Sequence, residues 1–257
     1  MNYRGRVPRP VKISINSGRR TRIFYERITM NKTIFWDFDG TLVYSHHLWS
    51  GSLLKTLERY TENNTVTLAD IRPPMARGFT WDEPDKTVGL KDEAWWDYTN
   101  CHIADVYRAV GVSEAEILRL LPLYRRTIME TENYILYPDT LSVLYELKKR
   151  GYKNHLLSNN YPELEKIASA LELDKVLDGM TVSAQVGYDK PRYEIFDIAF
   201  KAAGCPEQAF MVGDNPFSDI KGANAYGIPA ILVHNSNDYG FDCIKCSELT
   251  EILEICK

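Results

Sequence analysis

The stretch TIFWDFDGTL, residues 33–42, joins an apolar run to two aspartates, a glycine and a threonine. The apolar run predicts a strand buried on both faces, since such strands read as continuous apolar segments. Asp37 and Asp39 follow it at a spacing of two, which puts both carboxylates on one side of an extended chain. Carboxylates at close range repel each other, and a shared proton or a divalent cation relieves the repulsion. The stretch therefore predicts a strand that ends in a charged site.

The composition is that of an ordinary globular protein. The chain has 257 residues, of which 44% are hydrophobic and 26% charged, and this length predicts one large domain or one domain with an insertion. No apolar run approaches the roughly 18 residues that a membrane span needs, so we expect no membrane partner. The five scattered cysteines and the absence of a secretory signal favour reduced thiols and a cytoplasmic location. Cys243 and Cys246 form a lone C-x-x-C, which favours a short strand over a zinc site.

Charge is spread unevenly along the chain. Residues 1–29 hold eight Lys and Arg against one Glu, a net charge of +7. Since the whole chain carries −4, residues 30–257 carry −11. An acidic body argues against nucleic acid as a partner. We expect residues 1–29 to be a disordered basic extension that catalysis does not require. It is interpreted as translation upstream of a start at Met30, a flexible tail or a transit peptide.

From residue 134 onward, short apolar runs alternate with amphipathic helices, which predicts a parallel sheet covered on both faces. The stretch before it has helical spacing and few strand signals, so residues 45–135 are predicted to be a helical insertion. Ser113 begins one of its helices with a capping box, and Pro122 is predicted to kink or break that helix. Trp81, with two further tryptophans of the insertion, is predicted to lie in its core.

Polar residues follow three of the predicted strands. Asp37 and Asp39 come after IFW, Ser158 after HLL, and Asp214 after FMVG. Because ligands bind at the carboxyl ends of parallel strands, we expect these segments to meet at one rim. Lys190 in DKPR is predicted to open a helix, with a proline at the first helical position, and to offset the negative charge.

The segments DFDGTL, LLSNN, YDKP and VGDNPFSDI resemble the four motifs of the haloacid dehalogenase superfamily, over about residues 33–234. The resemblance implies an α/β fold, a Rossmann-like doubly wound parallel sheet with an inserted all-helical cap. The catalytic core would be residues 30–44 and 136–257, and the cap residues 45–135. It further implies a Mg²⁺-dependent phosphatase that hydrolyses a small phosphorylated metabolite. No signal for an oligomeric state is visible.

The resemblance also assigns catalytic roles. Asp37 would be the nucleophile that forms an aspartyl-phosphate. Asp39 would protonate the leaving oxygen and then activate the water that hydrolyses the intermediate. Ser158 would hydrogen-bond a phosphoryl oxygen, and Lys190 would orient the nucleophile and the phosphate.

Supporting and metal-binding roles follow in the same way. Gly40 would permit the turn after the strand, Thr41 would position Asp39, and Asn159 would support phosphate binding. Mg²⁺ would take oxygen ligands from four aspartates, one of them through its backbone carbonyl. These expected metal ligands are Asp37, Asp39 by its carbonyl, Asp214 and Asp219.

Two other functions on the same fold remain open. A phosphomutase would also need Asp39, but the arginine–serine signature of sugar-phosphate mutases is not found in residues 45–135. A catalytically silent binding module on this fold would usually lack a motif residue, and none is missing here. The superfamily's dehalogenases lack the second aspartate, so its presence favours phosphoryl transfer.

Overall fold

The computed structural model describes residues 12–13, 24–25, 30–62 and 65–257. The expected disorder of residues 1–29 lies outside the described residues, apart from two short strands. These are β1 (Lys12–Ile13) and β2 (Phe24–Tyr25), which pair antiparallel with each other. No helix in the described ranges is long and apolar enough to span a membrane.

A parallel sheet forms the centre of the described chain, as predicted. Its strands in the described part of the chain are β3 (Lys32–Trp36), β6 (Tyr152–Ser158), β7 (Gly179–Val182), β8 (Gln208–Gly213), β9 (Ala230–Val233) and β10 (Ile244–Cys246). The strand order is β10-β9-β8-β3-β6-β7. The strand that carries the two-aspartate motif is therefore central, with β6 and β8 paired on its two sides. The short strand expected at the C-x-x-C segment is confirmed as β10.

Helices cover both faces of the sheet. They are α5 (Thr140–Lys149), α6 (Leu164–Ala170), α7 (Ser183–Val186), α8 (Tyr193–Ala202), α9 (Lys221–Tyr226) and α10 (Ile252–Ile255). Alternate residues of β3 enter different apolar clusters: Ile34 and Trp36 pack with residues of α5, whereas Phe35 packs with residues of α8. Burial on both faces explains why these strands are apolar throughout rather than alternating.

Residues 45–135 are mainly helical, as predicted. The helices in the described part of this segment are α1 (Leu48–Tyr60), α2 (Leu68–Met75), α3 (Asp92–Ala109) and α4 (Glu114–Ile128). Two short strands, β4 (Val43–Tyr44) and β5 (Ile135–Leu136), flank the segment and pair antiparallel. The chain thus leaves and re-enters the sheet region through adjacent strands. We call residues 45–135 the helical insertion.

The prediction for Pro122 is wrong as to breakage, because α4 continues through it to Ile128. A proline removes the hydrogen bond to the carbonyl four residues earlier, which here belongs to Leu118. The side chain of Leu118 is 74% exposed. Water can therefore reach that face of the helix and solvate the carbonyl.

Candidate active site

The three predicted strand ends do meet at one rim of the sheet. Asp37 follows β3, and its N–H donates to the carbonyl of Val212 in β8 at 2.9 Å. Ser158 is the last residue of β6, and Asp214 directly follows β8. Asp37, Ser158 and Asp214 all line one cavity of about 510 Å³. Parallel pairing in register brings the carboxyl ends together, which is why sequence order sufficed to predict the meeting.

Lys190 lies beneath this cavity and joins two of the aspartates. Its Nζ is 2.8 Å from Oδ1 of Asp37 and 2.7 Å from Oδ1 of Asp219, and its side chain is 1% exposed. Burial lowers the pKa of Lys190, but the carboxylates of Asp219 and Asp37 raise that pKa more, so the net shift is upward. The lysine therefore stays an ammonium and holds the Asp37 carboxylate in one orientation.

The Asn159 side chain holds the backbone of Lys190. Its Nδ2 donates to the Lys190 carbonyl at 2.9 Å, and its Oδ1 accepts from the Lys190 N–H at 2.7 Å. Both backbone groups of residue 190 are thereby occupied outside any helix. The prediction that Lys190 and Pro191 open a helix is accordingly wrong, since α8 begins only at Tyr193. Asn159 acts here as a support for the lysine.

Asp39 lies beside Asp37 with a proton-active carboxyl group. Its Oδ2 accepts a hydrogen bond of 2.7 Å from Nδ2 of Asn160, and its Oδ1 is buried without a partner among the described residues. Burial, followed by the Asp37 charge, raises the pKa of Asp39 to about 7. A carboxyl group with that pKa both gives and takes protons near neutral pH, which suits general acid–base catalysis.

Thr41 contacts a different aspartate from the one expected. Its hydroxyl is 3.4 Å from Oδ1 of Asp214, and it is Asn160 that bonds Asp39. Gly40 has a φ of +80°, and a Cβ there would lie 2.3 Å from Oδ2 of Asp214. Glycine is thus required both for the turn and for the space that the Asp214 carboxylate occupies.

A cluster of carboxylates that could hold a metal ion lies at the rim. Within the described ranges, Asp37, Asp214 and Asp219 each offer one oxygen, and these oxygens lie within 4.8 Å of one another. Burial, followed by the Asp37 charge, raises the pKa of Asp214 to about 7 and that of Asp219 to about 8. Three carboxylates face a single ammonium group, that of Lys190. Their hard oxygen ligands and excess negative charge fit a divalent cation such as Mg²⁺.

Part of the cavity wall is aromatic. Trp49 from α1 and Trp81 line it together with Leu48, and Phe217 contributes from the sheet side. Trp81 is only partly buried, so it belongs to the cavity wall as well as to the core of the insertion. Sequence reasoning missed the cavity role of these rings, since aromatic residues at helical spacing look the same in a core as in a cavity wall.

Asn160 is a further residue without an assigned role in the sequence analysis. It lies next to Asn159, just after the end of β6, and this position at a strand end was the one feature of the sequence that could have indicated a role in the site. Its contact with Asp39 spans 121 residues of sequence. Such a pairing follows only from the strand order.

Comparison with known proteins identifies the family of this chain. Residues 31–227 match the haloacid dehalogenase-like hydrolase family. Phosphoserine phosphatase of Thermus thermophilus is 39% identical over 107 residues, which are 40% of this chain and 43% of that protein. Glyceraldehyde 3-phosphate phosphatase of Methanothermobacter thermautotrophicus is 37% identical over 131 residues, 46% of this chain and 58% of that protein. The chain thus spans about half the length of these curated relatives.

Solved structures show the same fold. The magnesium-bound HAD-hydrolase YfnB from Bacillus subtilis superimposes with a TM-score of 0.70 at 18% identity, covering 89% of this chain and 100% of that chain. The family match covers most of the sequence. This chain therefore belongs to the haloacid dehalogenase-like hydrolases.

Proposed function

We propose that this hydrolase is a Mg²⁺-dependent phosphatase that cleaves a small phosphate monoester through an aspartyl-phosphate on Asp37. The observation that carries the proposal is the Asp37 carboxylate, held by Lys190 at the cavity wall with Asp39 beside it. The printed names of the two curated relatives, both phosphatases, support the same reaction class.

In the first half-reaction an oxygen of Asp37 attacks phosphorus and the bond to the leaving oxygen breaks. Lys190 and the N–H of Phe38 both contact Oδ1 of Asp37, at 2.8 and 2.7 Å, which sets the plane of the carboxylate. Asp39 donates its proton to the leaving oxygen, so an alcohol departs instead of an alkoxide. The products are the free alcohol, aspartyl-phosphate and ionised Asp39.

In the second half-reaction Asp39 takes a proton from water. The oxygen of that water attacks the phosphorus, and the acyl-phosphate bond breaks. Inorganic phosphate leaves, the Asp37 carboxylate is restored, and Asp39 again carries its proton. Two easier steps thus replace one direct hydrolysis, which is extremely slow without catalysis.

Mg²⁺ would be held by the carboxylates of Asp37, Asp214 and Asp219 and by the backbone carbonyl of Asp39. When bound, it would neutralise charge on the transferred phosphoryl group. Ser158 would donate its hydroxyl hydrogen to a phosphoryl oxygen, and its burial at the end of β6 in the wall of the cavity supports this role. Thr41 supports the set by its contact with Asp214.

The helical insertion serves, in this proposal, as a cap over the leaving group. Trp49 and Trp81 of the insertion line the same cavity as the carboxylates, and such a cover would exclude water and favour small substrates. The two domains would then be the core, residues 30–44 and 136–257, and the cap, residues 45–135. The cysteines in the described residues are free thiols, which supports a cytoplasmic location.

The test is hydrolysis of para-nitrophenyl phosphate in the presence of Mg²⁺. Asp37→Asn should lower kcat by about 10⁴-fold or more, since the nucleophile is lost. Its melting temperature should stay close to that of the native protein. Asp242→Asn, at an exposed aspartate outside the cavity, should keep full activity. A native rate in Asp37→Asn would exclude Asp37 as the nucleophile.

The same assay separates hydrolysis from phosphoryl transfer between alcohols. A phosphatase releases one inorganic phosphate for each ester consumed. A phosphomutase would return the phosphoryl group to an organic acceptor and release little inorganic phosphate. A silent binding module would bind the ester without turnover.

A further inference from the structure

The cavity has little positive charge to offer a substrate. Among the described residues that line it, Lys190 is the only basic side chain. That ammonium is already paired with Asp37 and Asp219. A divalent cation at the carboxylate cluster would face the transferred phosphoryl group. Neither charge is left over for a second anionic group on the substrate.

The wall that would contact the leaving group is apolar and aromatic. One face of Trp81 is covered by Phe79, whose ring is 4.6 Å away and nearly parallel at 7°. Trp81 is nevertheless only partly buried and lines the cavity, so part of its ring surface is open to a bound ligand. Trp49 lies 5.6 Å from Trp81, measured between ring centroids. The open ring surface suits a flat apolar group or a cation.

The charged group that the insertion adds to this cavity is acidic. Asp82 lines the cavity next to Trp81. Its Oδ2 accepts from the N–H groups of Gly78 and Phe79, at 2.8 and 3.0 Å. These bonds hold the carboxylate in place at the wall of the cavity. An anionic leaving group would meet this charge.

We propose that the enzyme selects phosphate esters whose leaving group is neutral or cationic, and discriminates against leaving groups that carry a second anion. This inference rests on the proposed phosphatase function and names the substrate class of that site. Moving an anion out of water without a counter-charge is costly, and like charges in contact add to the cost. A cation gains from the Trp81 ring face and from Asp82.

The experiment compares three small esters of similar size with Mg²⁺ present. They are phosphoethanolamine, propyl phosphate and phosphoglycolate, whose leaving groups are cationic, neutral and anionic. We expect kcat/KM for phosphoglycolate to be about tenfold or more below that for propyl phosphate, and phosphoethanolamine to equal or exceed propyl phosphate. Phosphoglycolate turned over as well as propyl phosphate would overturn the inference.

The three esters differ in intrinsic reactivity. Two variants remove this difference from the test, because the rate for each ester in a variant is compared with the rate for the same ester in the native protein. Ser45→Arg adds a cation to the cavity wall. It should raise the ratio of kcat/KM for phosphoglycolate to kcat/KM for propyl phosphate by about fivefold or more. Asp82→Asn removes a charge while keeping an oxygen acceptor, and should bring kcat/KM for phosphoglycolate closer to kcat/KM for propyl phosphate. Asp242→Asn should keep the native ratio. Unchanged ratios in both cavity variants would contradict the inference.

Failure of this inference differs from failure of the proposed function. If none of the esters and no para-nitrophenyl phosphate is hydrolysed, the proposed function fails and this inference fails with it. If hydrolysis of propyl phosphate requires Asp37 but the charge of the leaving group does not change kcat/KM, only the inferred substrate class is wrong.

Discussion

The two walls of the cavity are built on different physical principles. On the sheet side, strand ends and buried polar contacts hold each charged group, as Asn159 holds Lys190 and Asn160 holds Asp39. On the insertion side, Trp49 and Trp81 are held by packing against other rings. Polar contacts have narrow geometric limits, whereas ring packing tolerates change. The sheet side therefore suits the chemistry, and the insertion side suits substrate choice.

Removing a proton carrier from the sheet side tests this contrast most severely. Asp39→Asn should lower kcat by about 10³-fold, because both half-reactions need a group that gives and takes a proton. Trp81→Ala on the opposite wall should change kcat by about tenfold at most, with the larger effect on KM. Steady-state kinetics on para-nitrophenyl phosphate measures both. Equal losses of kcat in the two variants would break the contrast.

The pH dependence of stability should also differ between the two parts. Burial lowers the pKa of His155, in β6, to about 4, so the folded protein keeps this imidazole neutral. Below the unfolded pKa of about 6.5 the unfolded chain binds a proton that the folded protein does not. The free energy of unfolding should therefore fall by up to about 3 kcal/mol between pH 6.5 and 4 from this residue.

Substitution isolates this contribution. His155→Gln can keep the contact with Thr181, which lies 2.8 Å from Nε2, while removing the titration. Burial also lowers the pKa of His102 in α3, and His102 is less buried than His155. On going from pH 6.5 to 4, the free energy of unfolding measured in urea should change by a more positive amount in His155→Gln than in His102→Gln. Identical profiles for the two variants would rule out a dominant role of the sheet histidine.

Loss of the support behind Lys190 should have an intermediate effect. Asn159→Ala removes two hydrogen bonds to the lysine backbone, worth about 1 kcal/mol each. We expect kcat to fall roughly tenfold to thirtyfold as the ammonium moves relative to Asp37. Asn235→Ala also removes two side-chain hydrogen bonds, one to the Asp214 carbonyl and one from the Asn237 N–H, but neither involves the lysine, so it should lower kcat less. A native kcat in Asn159→Ala would show that the lysine is positioned by other contacts.

The smallest effect is expected at the junction between the two parts. Glu163, from the sheet side, accepts from Nη2 of Arg125 at 2.5 Å and from the indole N–H of Trp96 at 3.0 Å. Glu163→Gln should lower the free energy of unfolding by about 1 kcal/mol, since its charge is partly buried. Glu93→Gln is the matched control, because Glu93 pairs with the same arginine from within the insertion and is exposed. Glu93→Gln should leave the free energy of unfolding, measured by urea denaturation, nearly unchanged. Equal losses of stability in the two variants would show that the contacts of Glu163 at the junction add no stability beyond that of an exposed ion pair.

Much of the sheet side was predictable because its signals are local. Asp37, Ser158 and Asp214 each follow an apolar run, and parallel strands place such ends at one rim. The helical insertion was likewise visible in its periodicity. The predictions that Pro122 breaks its helix and that Lys190 and Pro191 open one were wrong. In the second case the side chain of Asn159 bonds the backbone of Lys190 across 31 residues of sequence, a contact that no local pattern reports.

The sequence by itself determined which charged groups share a rim, because residue types and their order along parallel strands place them there. Tertiary structure alone decided the partners of those groups. Thr41 contacts Asp214 across 173 residues, and Asn160 contacts Asp39 across 121. It also decided that Trp81 lines the cavity while Trp95 and Trp96 are buried. Local periodicity reports that a face is apolar, but only packing in three dimensions determines whether that face meets the protein interior or a bound ligand.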